Sequence, residues 1–174
     1  MCTRKHHTIW KARRPLLERI LSDMDTDGTY PLHRSLLQEL EEAFSTGPIR
    51  DYEVPNPEHV IQAAQHIYVE GEPRAWWLGL KHLVHRQYMD HESSYIAIRD
   101  IVQQYGATVS PTDQKLLFMI DEDNERHHVY TLTWDEMVHV IAECRFFEYY
   151  ICPHDYSWLL CENEHGEFLL CMSS

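Results

Sequence analysis

The residues best suited to chemistry gather near the C-terminal end, where Glu162, Asn163, Glu164 and His165 follow one another directly. A carboxylate beside an imidazole can hold or move a proton, and its power to do so grows where the end of a buried strand excludes water. Glu148 is predicted on the neighbouring strand and is expected within reach of the same cluster. Residues 163–166 also read as a plain turn between two strands, because Asn163 and Gly166 are turn formers. Tyr150 and Trp158 are candidate anchors for a protein partner, since buried aromatics rather than rim charges supply most binding energy.

Elsewhere the chemistry thins. Asp23, Asp25 and Asp27 occupy positions one, three and five of a loop with Gly28 at six, the first half of a calcium-binding EF-hand. Position twelve is Arg34 and position nine Pro31, so a cation stands where a bidentate carboxylate should close the coordination sphere. The loop is read either as an acidic turn or as a weak calcium site. Among 13 histidines, His82 and His85 are spaced to share one helical face, but no acid stands where an HExxH zinc motif needs it. The five cysteines Cys2, Cys144, Cys152, Cys161 and Cys171 form no CxxC pair, and read as reduced, buried thiols rather than a zinc knuckle or a disulfide framework. Without a GxSxG elbow or a Gly-rich phosphate loop, and with six glycines in all, the chain has no sign of a nucleotide enzyme, and no cofactor is expected.

The elements that must carry these residues are set by periodicity. Helical spacing predicts helices over 9–24, 36–44, from Pro57 to Gly71, over 76–88 and over 95–105, with Asn56 as N-cap of the third and residues 48–57 an extended connector. Beyond Pro111, residues 115–121 and 129–133 read as strands. Thr133 and Glu136 form a capping box that opens a helix through Cys144. Three apolar runs separated by turns then predict an antiparallel meander. Trp158 and Leu160 face one side of its middle strand, and Leu159 and Cys161 the other, so that strand should be central. The expected fold class is α+β: a mostly helical N-terminal half (1–110) packed with a small antiparallel sheet and one helix (111–174), forming one domain of 174 residues.

Charge narrows the partners. The formal net charge is −13, but six of the bases fall within the first 19 residues beside the single acid Glu18, so the chain after Arg19 carries −18. Such a surface repels phosphate backbones and accelerates encounter with a basic protein, which argues against nucleic acid. No apolar run approaches the roughly 20 residues of a membrane span, and no signal-peptide pattern succeeds the basic start, so a soluble, cytoplasmic protein is expected.

The stretches Glu148-Tyr149-Tyr150-Ile151, Tyr156-Ser157-Trp158-Leu159 and Glu162-Asn163-Glu164-His165 resemble an uncharacterised group of small bacterial proteins, over about residues 115–170. Glu164 stands where that group tends to have a second His. The resemblance implies a protein of the toxin-immunity or accessory kind and transfers no catalytic residue. The expectation is an acidic, non-enzymatic protein-binding module, such as an immunity protein against a basic toxin. The alternatives are a hydrolase or metal-dependent enzyme using Glu148, Glu162, Glu164 and His165, and a calcium-responsive protein using Asp23, Asp25 and Asp27.

Overall fold

Near-continuous apolar runs in the strands dictate a sheet buried on both sides, and the computed structural model, which describes residues 35–44, 46–88, 94–105, 114–121 and 127–173, has that architecture. The helix expected over 9–24, the Asp23–Asp27 loop and Cys2 lie outside the described residues.

Six strands form one antiparallel sheet: β1 (Leu83–Tyr88), β2 (Lys115–Asp121), β3 (His127–Thr133), β4 (Tyr149–Cys152), β5 (Trp158–Glu162) and β6 (Glu167–Met172), in the order β1-β6-β5-β4-β2-β3. Four helices accompany them: α1 (Leu36–Ala43), α2 (Glu58–Tyr68), α3 (Ser94–Gln104) and α4 (Trp134–Glu143). Because side chains alternate along a strand, the sheet has two apolar faces. Phe118, Ile151, Leu160 and Phe168 share one core with Leu40 of α1, Val102 of α3 and Met137 of α4. Met119, Cys161, Leu169 and Cys171 share a second core with Ala64 and Tyr68 of α2 and with Trp76. Among the described residues, no helix is long and apolar enough to cross a membrane.

Local chemistry sets the helix starts. In α1 the Ser35 hydroxyl accepts from the Gln38 amide while the Gln38 side chain accepts from the Ser35 amide; Thr133 and Glu136 repeat this capping box at α4, as expected. α2 begins one residue later than predicted. Pro57 is its N-cap, and Asn56 takes a left-handed φ of 55° that no N-cap adopts. The connector before it is not wholly extended, since Ile49–Tyr52 make a 3-10 turn.

Two expectations are corrected. The α+β class holds, but the sheet is large rather than small, and the first half of the chain contributes a strand to it. The helix predicted over 76–88 is instead a 3-10 turn, Trp76–Gly79, followed by β1. Long-range pairing overrides the helical spacing here, because β1 lies along β6 from Leu83 opposite Cys171 to Tyr88 opposite Glu167. His82 and His85 therefore share no helical face. His82 has a φ of 58°, and His85 Nδ1 sits 3.2 Å from the Tyr105 hydroxyl.

Candidate functional site

The cluster at residues 162–165 lies where β5 turns into β6, and Asn163 builds that turn. Its side chain is fully buried, and it donates from Nδ2 to Glu167 Oε2 at 2.9 Å. Its Oδ1 accepts from the amides of His165 and Glu167, each at 3.0 Å. The Gly166 amide donates to the Asn163 carbonyl, and Gly166 takes the φ of 73° that closes the turn. Glu167, 6 % exposed, is held below the usual carboxylate range by the Asn163 bond first, then by the Tyr88 hydroxyl, Arg86 and His165, against the effect of burial. Arg86 Nε lies 3.8 Å from its other oxygen.

The turn presents Glu164 and His165 to solvent. Glu164 has Arg74 Nη2 at 3.9 Å and His165 Nε2 at 3.7 Å, distances at which exposed pairs contribute little stability and leave the charges free for another partner. The His165 ring meets Trp77 edge-on, with centroids 5.3 Å apart. Beside Trp77, Leu78 is 54 % exposed. The Trp76–Gly79 turn thus sets an aromatic ring against the charged turn, with the exposed Leu78 next to that ring in the chain.

The other predicted residues do not join this cluster. Glu162 is 2 % exposed and accepts a hydrogen bond from the Tyr149 hydroxyl at 2.5 Å, in the core of α1, α3 and α4. Glu148 accepts from the hydroxyl of Tyr150, whose ring belongs to the α2 core. The sheet therefore separates the two carboxylates. Tyr150 and Trp158 are 1 % and 2 % exposed, so neither offers a surface to a partner, contrary to their expected role as anchors. Burial first, with the charges of Cys161 and Glu148, pushes ionisation of the Tyr150 hydroxyl far up. Cys144, Cys152, Cys161 and Cys171 are buried, and burial raises the Cys171 thiol to about 12.

Periodicity alone does not reveal Arg74, Trp77, Arg86 and Tyr88 as neighbours of this turn, because they reach it only through long-range contacts. Two open clefts have other linings, one of 420 Å³ between Tyr52, His59, Lys115 and His154 and one of 630 Å³ on the Trp76 side of the loop, beside His66 and Lys81. Neither is lined by the predicted carboxylates. Among the described residues no group of three or more His, Cys, Asp or Glu is arranged to hold a metal ion.

No curated protein and no solved structure matches the chain. A family match does exist, and it starts well before the C-terminal stretches that carry the resemblance, taking in the second half of α1 and all of the Trp76–Gly79 turn and β1. It covers residues 40–174, and by that match the chain belongs to the Family of unknown function (DUF6756).

Proposed function

We propose that this protein is a non-enzymatic binding module that presents Trp77, Leu78, Glu164 and His165 to a basic protein partner. The observation that carries the reading is the exposed Leu78 beside the edge-on Trp77–His165 pair, on a turn fixed by the buried Asn163. A protein that holds an apolar side chain in water next to a rigid polar turn has the composition of an interface centre with its rim. The −18 carried after Arg19 supports a basic partner, and an immunity protein against a basic toxin is one instance of that class. The separation of Glu148 from Glu162 by the sheet favours binding over a hydrolase built on both.

The test is cross-linking capture in the source cell at low salt, with the wild type and Leu78→Asp compared. The expected result is a basic protein held by the wild type and weakened about tenfold or more by the substitution, at an unchanged melting temperature. Undiminished binding by the variant, or a hydrolytic activity abolished by Glu164→Gln, would overturn the reading. Glu162 is unsuited to such a test, because its carboxylate is buried and bonded to Tyr149.

A further inference from the structure

The segment Gly71–Gly79 is a loop closed at its neck. The Glu70 amide donates to the Gly79 carbonyl at 2.8 Å and the Lys81 amide to the Tyr68 carbonyl at 2.7 Å, with Val69 bridged to Leu80. A Cβ on Gly79 would meet the Glu70 carbonyl oxygen at 2.8 Å, so the strands of the neck approach as closely as they do only because that residue is glycine. Trp76 anchors the loop from inside: it is 4 % exposed, stacked on His127 at 4.9 Å and tilted against Tyr150 at 5.0 Å.

Beyond Trp76 the attachment is different in kind. The Trp77 amide donates to the Tyr150 hydroxyl at 3.3 Å, and that hydroxyl donates in turn to Glu148 Oε1. A hydroxyl bonded to a carboxylate has its proton committed and its lone pairs turned to other donors, so Glu148 orients Tyr150 to receive Trp77. One feature opposes this docked pose. Trp77 Nε1 is buried without a hydrogen-bond partner among the described residues, and a buried donor without an acceptor regains its bond to water when it is released.

We propose that Glu148 and Tyr150 form a latch on the distal part of this loop, which exchanges between the docked pose and one in which Trp77 and Leu78 have swung off the sheet. The neck and Trp76 stay in place in both. The indole N–H favours release, whereas the latch favours docking together with the packing of Trp77 on the second core and its edge-on contact with His165, so Glu148 and Tyr150 shift the balance between the two poses without changing the rest of the fold. This regulates the same patch as the binding reading and rests on that reading for its purpose. Tyr150 is then a positioning residue for the partner surface and touches no partner itself.

Amide hydrogen exchange, followed residue by residue on the full chain without any partner, tests the latch. In Tyr150→Phe the Trp77 and Leu78 amides should exchange about fivefold faster, the factor that one net hydrogen bond is worth, while the Glu70 and Lys81 amides keep their wild-type rates. Should that variant fail to fold, Glu148→Gln leaves the core ring in place, and its weaker neutral bond should accelerate the same two amides. Unchanged rates at Trp77 and Leu78, or neck amides that accelerate equally, would show that there is no latch. Because no partner enters the measurement, either result leaves the Leu78→Asp binding test independent.

Discussion

Asn163 uses both ends of its amide on a single turn, and no other residue type supplies a donor and an acceptor at those two places with that reach. Asn163→Ala should strand the His165 and Glu167 amides and cost about 1–3 kcal/mol of stability. Its pH dependence has a definite sign. The Asn163 bond is the largest cause holding Glu167 below its ordinary 4.5, and a depressed carboxyl gives stability that is full above the unfolded value and is lost as pH falls through the folded one. Melting curves of the two proteins should therefore be separated by their full gap above about pH 4.5, and the gap should narrow below it by the part linked to the Glu167 carboxylate, leaving the part due to the stranded amides; a gap constant down to pH 3 would show that Glu167 is not the linked group. Asn163 and Glu167 could be placed at a strand end from the sequence, yet the fate of Glu148 and Glu162 could not. Alternation sends the hydroxyls of consecutive tyrosines to opposite faces, but only the register, with Tyr149 opposite Glu162 and Tyr150 opposite Cys161, reveals which of them meets Glu162. A shift by one residue would have reversed the assignment, and no residue pattern within β4 alone distinguishes the two.

At the level of elements, what is local was legible. The Thr133–Glu136 box opens α4 as expected, because both partners lie within one turn of chain. Thr133→Ala removes the acceptor for the Glu136 amide and should cost about 0.5–2 kcal/mol, read as a lower midpoint of urea unfolding at unchanged slope; a midpoint that does not move would mean that packing alone holds the helix start. The two apolar faces of β5 likewise announced a central strand, and all five of its residues are buried. The departure at residues 76–88 has the opposite origin. Trp76, Leu80, Leu83 and Val84 satisfy a helical period, but Leu83 and Val84 are each 41 % exposed, so the stripe they suggest is not a buried one. What decides the conformation is pairing with β6, 79 to 88 residues further along the chain, together with the neck between Tyr68 and Lys81. The candidate corner was half visible for the same reason. Its turn is local, whereas Trp77 and Arg74 reach it only through long-range contacts.

Over the whole molecule, the asymmetry between six early bases and the −18 carried beyond Arg19 sets a long-range field that a single contact cannot. Association with a basic partner should therefore slow by about tenfold or more as salt rises from 20 to 500 mM, as screening shortens the field. The rate of dissociation should change less, since it depends on the apolar contact at Leu78. Stopped-flow mixing separates the two, and an association rate insensitive to salt would remove charge from the account. The strand order has a further consequence, for synthesis. β6 lies between β1 and β5, so β1, made from residues 83–88, has no described strand to pair with until residues 167–172 have been made. Through the synthesis of about half the chain its unpaired amides and its exposed Leu83, Val84 and Tyr88 are open to neighbouring chains. A ribosome that stalls just after Gly166 therefore releases a product missing one strand in sequence and two in the sheet.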